Sequence, residues 1–297
     1  MTEPSFRAGF VALVGRPNVG KSTLVNRFAG QKIAAVSAKP QTTRHQIRGI
    51  VARPHAQVVF VDTPGIHKPL HLLGETLVKQ AREALSSVDA VVFMVDANEA
   101  PGPGDRFVAD MVAASGRPAV LALNKIDRRK FKLEYQQAYE ALGTWVDTVG
   151  ISAQRGNNCE KLLRRLEPLL PEGPALFPED EITDQTLRQI AGELVREQVL
   201  RQTEEEVPHA VAVRIESWTE REDGLVQIAA TLFVERDSQK GILIGEKGTR
   251  LREVGSKARA EIEKLLGARV FLELWVKVMP HWRREKAALK KLGYVVD

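Results

Sequence analysis

The segment at residues 15–22, Gly-Arg-Pro-Asn-Val-Gly-Lys-Ser, constrains the fold of this chain more than any other part of its sequence. It follows an apolar run that ends at Val14 and precedes a stretch with helical spacing. Glycines allow backbone N–H groups to close around phosphate oxygens, and a following helix adds the positive end of its dipole. We therefore expect Lys21 to neutralise the β- and γ-phosphates of a nucleotide and the Ser22 hydroxyl to hold Mg²⁺. The predicted loop residues are Gly15, Arg16, Pro17, Asn18, Val19, Gly20, Lys21, Ser22 and Thr23.

Short apolar runs alternate with helical spacing through the first half of the chain. The apolar runs, typical of strands buried on both faces, are residues 10–14, 57–61, 90–95 and 119–123. The segments with helical spacing between them include residues 22–28, 73–86 and 106–115. This alternation predicts an α/β doubly wound domain with a mainly parallel sheet.

The motif Asp62-Thr-Pro-Gly65 also follows a predicted strand and suits the same nucleotide. We expect Asp62 to orient Mg²⁺ through water and the Gly65 N–H to sense the γ-phosphate, with Thr63 and Pro64 completing the contact. Gln-Thr-Thr-Arg at residues 41–44 lies between the first helix and the next strand. A threonine there, Thr43 or alternatively Thr42, is predicted to bind Mg²⁺ when GTP is present.

Asn124-Lys-Ile-Asp127 and Ser152-Ala153 follow predicted strands too, and they indicate which base is bound. The Asp127 carboxylate can accept hydrogen bonds from N1–H and the 2-amino group of guanine, whereas adenine has no 2-amino group. With adenine bound, this carboxylate would be left unpaired, which costs about 1–3 kcal/mol or more. A backbone N–H of Ser152 or Ala153 can reach guanine O6. We predict GTP and GDP as ligands, contacted by Asn124, Lys125, Asp127, Ser152 and Ala153.

The residues predicted to act in catalysis are Lys21, Thr43, Gly65 and Asn18. Phosphoryl transfer needs positioning and charge neutralisation more than covalent chemistry. Residue 66, where Ras-like GTPases carry a water-orienting glutamine, is isoleucine, so we expect slow intrinsic turnover. Asn18 resembles the asparagine with which some GTPases bind K⁺ beside the phosphates. Its alternative role is that of a turn residue.

The pattern changes near residue 170, where five Pro and Gly residues fall within eleven positions. This density predicts a linker, placed at residues 173–183 between domains at 1–172 and 184–297. In the second domain, helices are expected near 185–205, 249–266 and 281–291, and strands near 210–217, 225–234 and 269–278. This order of elements predicts an α+β domain.

Gly241-Ile-Leu-Ile-Gly245-Glu-Lys-Gly248 reads as the apolar end of a strand, a G-x-x-G loop and the start of a helix. The loop resembles that of KH domains, which clamp about four nucleotides of single-stranded RNA. An ordinary turn between a strand and a helix is the alternative. Glu246 departs from the pattern, because an acid there weakens the expected phosphate contact. The predicted RNA contacts are Lys240, Ile242, Ile244, Gly245, Glu246, Lys247, Gly248 and Arg250.

The C-terminal region is basic, although the whole chain carries a net charge of only +5. Residues 240–297 contain 14 Lys and Arg against 7 Asp and Glu, an excess of seven positive charges. This balance suits an acidic partner such as nucleic acid or an anionic membrane surface, and a solvated helix face is the alternative.

The five nucleotide-site motifs, in this order, resemble those of the TRAFAC-class translation and ribosome GTPases. The whole chain is similar to the bacterial Era family, down to Ile182-Thr-Asp184, Glu206-Val-Pro208 and Leu292-Gly-Tyr294. The resemblance implies a GTP-hydrolysing switch whose KH domain binds the single-stranded 3′ end of 16S rRNA during maturation of the small ribosomal subunit. It also implies peripheral association with the inner face of the cell membrane, and we expect a monomer.

Two other functions compete with this interpretation. One is a GTPase whose second domain binds protein or membrane, and the other is a P-loop kinase of small molecules, against which the motif at residues 124–127 argues. The single cysteine, Cys159, and the lack of an apolar run of ~20 residues indicate a cytoplasmic protein. Of the tryptophans, we expect Trp275 in the core and Trp282 to anchor the last helix.

Overall fold

The computed structural model describes residues 5–37, 39, 42, 44, 46–65, 72–128, 132–204 and 207–294 of the chain. The described residues form two compact units. The first unit is made by residues within Met1–Ile33, Thr43–Lys68 and Leu77–Asp184. The second unit is made by residues within Ala34–Thr42, Pro69–Thr76 and Gln185–Asp297.

The first unit is an α/β structure built on one sheet. Its strands are β1 (Arg7–Val14), β2 (Ile47–Arg53), β3 (Ala56–Asp62), β4 (Ala90–Asp96), β5 (Ala119–Asn124) and β6 (Asp147–Ile151). Its helices are α1 (Lys21–Ala29), α2 (Leu72–Ser87, which extends into the second unit), α3 (Pro103–Ser115), α4 (Leu133–Glu140) and α5 (Cys159–Leu166). Among the described residues the strand order is β2-β3-β1-β4-β5-β6, and all neighbours are parallel except β2 and β3.

The central strands of this sheet are apolar along their length because helices cover both faces. Every residue of β3 and β4 is buried. The ring of Phe28 on α1 stacks on the fully buried Phe60 of β3, with centroids 4.8 Å apart. The predicted doubly wound domain with a mainly parallel sheet is confirmed. Sequence reasoning missed β2, an edge strand that Arg48 and Arg53 make partly polar.

The segment predicted as a linker, residues 173–183, contains no helix or strand and runs along the first unit. The buried Gln57 side chain holds it at three points. Its Nε2 donates to the carbonyl of Phe177 at 2.8 Å, and its Oε1 accepts from the N–H groups of Leu176 and Phe177 at 2.8 and 2.9 Å. The segment is therefore bound to the first unit by hydrogen bonds and does not behave as a flexible linker over these residues.

The second unit is α+β, with helices packed on a small sheet. Its elements are α6 (Leu187–Gln202), α7 (Val207–Ala210), β7 (Ala212–Glu220), β8 (Val226–Val234), α8 (Asp237–Ile244), α9 (Thr249–Leu266), β9 (Val270–Val278) and α10 (Lys286–Lys291). The described strands lie in the order β7-β8-β9, with β7 antiparallel and β9 parallel to β8. Helix α6 contacts β7 and α9, and α9 contacts β9. No described helix is both long and apolar enough to cross a bilayer.

The sequence predicts the end of a strand at residues 241–244, but the structure places them in α8, so this prediction is wrong. A short apolar run fits a buried helix as well as a strand. Here the helix is favoured because Gln239 Oε1 accepts from the N–H groups of Glu235 and Arg236, at 2.9 and 3.1 Å, and caps the first turn. The G-x-x-G loop therefore joins two helices.

Two further predictions near the C-terminus need correction. The helix expected at residues 281–291 is divided into a 3₁₀ turn, Trp282–Arg284, and α10, because Glu285 has extended backbone angles (φ −110°, ψ 119°). Trp275 is 61% exposed and does not lie in the core. It lies in β9, an edge strand of the sheet, so alternation with apolar neighbours does not imply burial there.

Trp282 is the anchor of the C-terminal segment, as predicted. It is fully buried, its Nε1 donates to the carbonyl of Ala210 at 2.9 Å, and its ring stacks on Tyr294. We predict that Trp282→Phe lowers the free energy of unfolding by about 2–4 kcal/mol, because it leaves a void and an unpaired carbonyl. The control Trp275→Phe should change it by less than about 0.5 kcal/mol. Urea unfolding followed by circular dichroism measures both, and equal losses would contradict the anchoring role.

Candidate functional site

The carboxyl ends of five parallel strands meet along one edge of the first unit's sheet. They carry Gly15 after β1, Asp62 at the end of β3, Asp96 at the end of β4, Asn124 at the end of β5 and Ser152 after β6. In open α/β sheets this edge is where ligands bind. Four of the five positions belong to the predicted motifs, and Asp96 is new.

The loop between β1 and α1 has a shape that only glycine permits at two positions. Gly15 has a φ of 155°, and a Cβ on it would lie 2.2 Å from the carbonyl oxygen of Met94. Gly20 has a φ of 108°, and a Cβ on it would lie 2.3 Å from Nδ2 of Asn124. Helix α1 begins directly afterwards at Lys21 with no side-chain cap, so its first N–H groups face the loop. This is the geometry of a phosphate-binding site.

Lys21 lies inside this loop, with only 6% of its surface exposed. Its Nζ donates to the carbonyl oxygens of Gly15 and Arg16, both at 3.0 Å. Burial lowers the pKa of Lys21 to about 8, against the opposing effect of the Asp62 charge. A phosphate in the loop would supply the missing negative charge and raise the pKa of Lys21 again, so the site favours an anion.

Ser22 and Asp62 bring a hydroxyl and a carboxylate together beside Lys21. The Ser22 Oγ donates to Asp62 Oδ2 at 2.8 Å, and Asp62 is fully buried. Mg²⁺ prefers oxygen ligands, keeps several waters and usually takes one or two protein groups plus substrate phosphates. This donor set fits the ion, and the predicted roles of the Ser22 hydroxyl as a direct ligand and of Asp62 through water stay predictions.

The rest of the motif at residues 62–65 packs against neighbouring loops. Thr63 Oγ1 donates to the carbonyl of Leu13 at 2.7 Å, so its side chain joins the end of β3 to β1. A Cβ on Gly65 would lie 2.9 Å from Cα of Pro17 in the phosphate loop. Glycine is required there by this close approach, which also brings the Gly65 backbone to the loop.

Thr43, the predicted Mg²⁺ ligand, lies outside the described residues, as does Ile66. The hydroxyl of Thr42 donates to the carbonyl of Lys39 at 2.6 Å. Which threonine binds Mg²⁺ therefore stays a prediction.

Asn124 joins the phosphate loop to the loop after β6. Its Nδ2 donates to the carbonyl of Val19 at 2.7 Å, and its Oδ1 accepts from the Ala153 N–H at 2.9 Å. The Ser152 N–H donates to the carbonyl of Asn157 at 3.0 Å. Both N–H groups predicted for guanine O6 are thus engaged within the protein, so a bound base would compete with Asn124 for the Ala153 N–H.

Lys125 crosses over the phosphate loop and pairs with Asp96. Its backbone is left-handed (φ 67°), and its Nζ donates to the carbonyl of Asn18 at 2.8 Å and to Asp96 Oδ2 at 2.7 Å. Burial opposes ionisation of Asp96, but hydrogen bonds from Lys125 and Asn98 outweigh it and lower the pKa of Asp96. Sequence reasoning missed Asp96, although its place directly after a buried strand was a usable signal.

Asp127, the residue predicted to recognise the base, lies in the loop after β5. A hydrogen bond from Ser152 lowers the pKa of Asp127, more than its slight burial raises it, and the nearby Arg155 adds to the effect. Arg155 Nε lies 3.4 Å from Asp127 Oδ2. The carboxylate is therefore ionised near neutral pH and can accept two hydrogen bonds from guanine.

Arg16 directs its side chain away from the phosphate loop. Its Nε donates to Oδ1 of the fully buried Asp105 at 2.8 Å, and its Nη2 lies 3.2 Å from Glu99 Oε2. Asp105 lies in the first turn of α3, so this pair fixes the phosphate loop to that helix. Arg16 contributes its backbone to the predicted nucleotide site. No local sequence pattern indicated Asp105 as its partner.

In the second unit, the G-x-x-G loop has a constrained backbone. Gly245 (φ 71°), Lys247 (φ 49°) and Gly248 (φ 76°) all have positive φ, and a Cβ on Gly245 would lie 2.9 Å from Cβ of Arg250. Arg250 Nη1 donates to the carbonyl of Ile242 at 2.8 Å, and Arg252 Nη2 donates to that of Lys247 at 2.8 Å. These bonds hold the loop open while Lys247 stays exposed.

A groove of about 480 Å³ runs from this loop between α9 and β9. Its lining is mostly apolar with two arginines, and consists of Gly248, Leu251, Arg252, Gly255, Ser256, Arg259, Val270, Phe271, Leu272 and Leu274. Phe271 is 49% exposed and can present its ring. Ile242 and Ile244 lie on α8, outside the lining of this groove, and their predicted contact with RNA stays a prediction. Sequence reasoning missed the β9 side of the groove.

Comparison with known proteins covers both units. Residues 10–125 match the family described as 50S ribosome-binding GTPase, and residues 206–283 match the KH domain family. The chain is 50% identical over 299 aligned residues to GTPase Era of Nostoc sp. (strain PCC 7120), covering 99% of this chain and 91% of that protein.

Two solved structures are similar over nearly the whole chain. One is a variant of Era from Aquifex aeolicus bound to GDP and AlF₄⁻, with 39% identity and a TM-score of 0.93, covering 98% of this chain and all of that one. The other is Era in complex with MgGDPNP and nucleotides 1506–1542 of 16S ribosomal RNA, with the same identity, coverage and TM-score.

Asp127→Asn should change the base preference of the first unit. The amide keeps one acceptor and gains a donor, which suits the 2-oxo group of xanthine and leaves the guanine 2-amino group without its charged partner. We predict that GTP affinity falls by roughly 10- to 100-fold while XTP affinity rises, from the usual 1–3 kcal/mol of a hydrogen bond to a charged group. Equilibrium binding of both nucleotides measures this. Asp147→Asn, a surface control at the opposite end of β6, should leave the ratio unchanged, and an unaltered GTP preference in Asp127→Asn would remove that residue from its role.

Proposed function

The chain belongs to the Era family of GTPases, and we propose that it is a GTP-controlled switch that binds the 3′ end of 16S rRNA during assembly of the small ribosomal subunit. In this proposal residues 1–172 act as the GTPase domain and residues 184–297 as the KH-type RNA-binding domain, connected through 173–183. The observation that carries the nucleotide half is that the phosphate loop, Asp62, Asn124 and Ser152 meet at one edge of the sheet.

GTP hydrolysis by this chain rests on positioning and charge. The phosphate-loop N–H groups and Lys21 take up the negative charge of the phosphates, while the Arg16–Asp105 pair keeps the loop fixed to α3. Asp127 accepts hydrogen bonds from the base, and Lys125 lies across the phosphate loop, where its Nζ donates to the Asn18 carbonyl. Mg²⁺, held by Ser22, Asp62 and Thr43, supplies further charge neutralisation at the β- and γ-phosphates when bound. Ile66 offers no group to orient the attacking water, which supports slow intrinsic turnover.

K⁺ is proposed as an additional activator at Asn18. This residue is exposed in the phosphate loop with a left-handed backbone (φ 66°), which an ordinary turn asparagine also adopts. If K⁺ binds there, GTP hydrolysis should be faster in K⁺ than in Na⁺ by roughly tenfold, or about 1.4 kcal/mol of transition-state stabilisation. Single-turnover rates in the two salts at equal ionic strength measure this. Asn18→Gly, which keeps the backbone geometry, should lose the difference, and equal rates in the unaltered protein would contradict the proposal.

The G-x-x-G loop beside an apolar groove carries the RNA half of the proposal. The loop backbone can approach a sugar-phosphate chain closely, Lys247 and Arg252 supply positive charge, and Phe271 offers a surface on which a base can stack. The similar Era structure with 16S ribosomal RNA supports RNA as the occupant. Arg250, predicted as a direct RNA contact, is better placed to hold the loop through its bond to Ile242.

We place this function in the cytoplasm, with a monomer acting on the small ribosomal subunit. Peripheral membrane association, which the family resemblance implies, would have to depend on charge. In α10 the apolar residues Ala288 and Leu289 are buried in the protein, whereas a helix that lies on a membrane needs a free apolar face. The competing hypothesis is that the second unit binds a protein or a membrane. The next experiment distinguishes it from RNA binding.

Lys247→Asp tests the proposed function directly. We expect the unaltered chain to bind an oligonucleotide that copies the 16S rRNA 3′ end more tightly with a non-hydrolysable GTP analogue than with GDP, and the affinity to fall as salt rises. Lys247→Asp should weaken binding by at least roughly tenfold, because it reverses a charge at the clamp. The control Lys264→Asp, at the far end of α9, should change it little. Weak RNA binding that depends neither on the bound nucleotide nor on Lys247 would contradict the proposal and indicate that the second unit binds a protein or a membrane.

A further inference from the structure

A second basic site lies at the other end of α8 from the G-x-x-G loop. A cavity of about 110 Å³ is lined by Glu235, Arg236, His281, Arg283 and Arg284. These residues come from the end of β8, the start of α8 and the 3₁₀ turn before α10. Three arginines against one glutamate give the lining a net charge of +2 with histidine neutral.

The Glu235 charge in this cavity is already neutralised. Arg283 Nε donates to Glu235 Oε2 at 3.0 Å, and its Nη2 contacts the same oxygen. Burial opposes ionisation of Glu235, but the Arg283 hydrogen bonds and charge outweigh it and lower the pKa of that carboxyl. Arg236 and Arg284 are exposed, and within the described part of the chain neither side chain has an ion-pair partner. Two guanidinium groups are thus available to an anion.

The turn that carries Arg284 is rigidly placed. The residue before this turn, His281, has a left-handed backbone (φ 53°), and the His281 carbonyl accepts from the Arg284 N–H at 2.8 Å. The neighbouring Trp282 is fully buried and bonded to Ala210. The backbone of Arg284 is therefore fixed beside the cavity, which limits the backbone entropy lost when its side chain binds a ligand.

We propose that this cavity is a second phosphate site, which binds a backbone phosphate of the same RNA strand beyond the nucleotides held at the G-x-x-G loop. The inference rests on the proposed RNA-binding function. Arg236 and Gly245 flank α8, and nine residues of helical rise place them about 13 Å apart. Lys240 lies four residues after Arg236 and so on the same helix face, between the two sites. Within α8, Lys240 therefore adds a positive charge between the loop and the cavity, and Asp237 is the acidic residue of the same helix.

The surroundings of the cavity favour a nucleic-acid phosphate over a lipid head group. Membrane binding needs apolar side chains that enter the bilayer beside the basic groups. The large apolar residues next to this site, Trp282 and Leu289, are buried, and the exposed apolar residues beside them, Pro280 and Ala287, are small. A planar guanidinium pair without a large exposed apolar neighbour suits a phosphodiester in water.

RNA length separates the two sites experimentally. The short probe is an oligonucleotide of about four nucleotides, the length that a G-x-x-G loop clamps. The long probes carry the same four nucleotides extended by about six at the 5′ or the 3′ end. The variant is Arg236→Gln with Arg284→Gln, and the matched control is Arg188→Gln with Arg221→Gln, which removes two exposed arginines elsewhere on the second unit. Circular dichroism verifies that both variants are folded.

In the unaltered chain, one of the long probes should bind more tightly than the short one, with a salt slope steeper by about 0.7 for each added phosphate contact. The Arg236/Arg284 variant should lose this gain, about tenfold in affinity, and still bind the short probe normally, whereas the control should bind both probes normally. An unchanged gain, or an equal loss for short and long probes, would overturn the second site and leave the proposed RNA function standing.

Failure of the unaltered chain to bind even the short probe would remove the proposed RNA function and this inference with it. Binding to vesicles of phosphatidylglycerol tests a lipid head group as the alternative ligand of the cavity. Loss of vesicle binding in the Arg236/Arg284 variant, with RNA binding unaffected, would assign the cavity to lipid and overturn the proposal.

Discussion

The amide side chain of Asn124 is the interaction on which the nucleotide site depends. It is 2% exposed, and it ties the carbonyl of Val19 to the N–H of Ala153, so that the loop for phosphates and the loop for the base are held by one group. Gly20 must lack a side chain to let this amide approach. Because an amide has one donor end and one acceptor end, no isosteric carboxylate or apolar residue can make both bonds.

In the second unit, too, side chains of one element fix the shape of a neighbouring loop. Arg250 of α9 reaches back to the carbonyl of Ile242 before the G-x-x-G loop, and Arg252 to that of Lys247 within it, so that the helix that begins after the loop also fixes its shape. In both units a left-handed glycine precedes the helix, and a bonded side chain holds the backbone ready for phosphate. Preorganisation of this kind reduces the ordering cost that ligand binding would otherwise carry.

Sequence reasoning succeeded where burial on both faces leaves a continuous apolar run. Strands β3, β4 and β5 and the motifs at their ends follow directly from that pattern. It failed at residues 241–244, because a short apolar run is equally compatible with a helix until the cap at Gln239 is known. It also missed Asp96 and Asp105, whose partners Lys125 and Arg16 are distant in sequence, and it could not foresee that β9 would expose Trp275 at a sheet edge.

Asn124→Asp tests most directly whether one side chain holds the two loops together. The carboxylate can still accept from Ala153 but faces the Val19 carbonyl with no donor, which costs about 1–3 kcal/mol or more. We predict that GDP and XDP affinities both fall at least roughly tenfold with their ratio preserved, because Asn124 positions the loops and does not choose the base. Asn157→Asp, on an exposed neighbour, should bind as the unaltered chain does. Unchanged GDP affinity, or a shift in the GDP-to-XDP ratio, in Asn124→Asp would contradict the account.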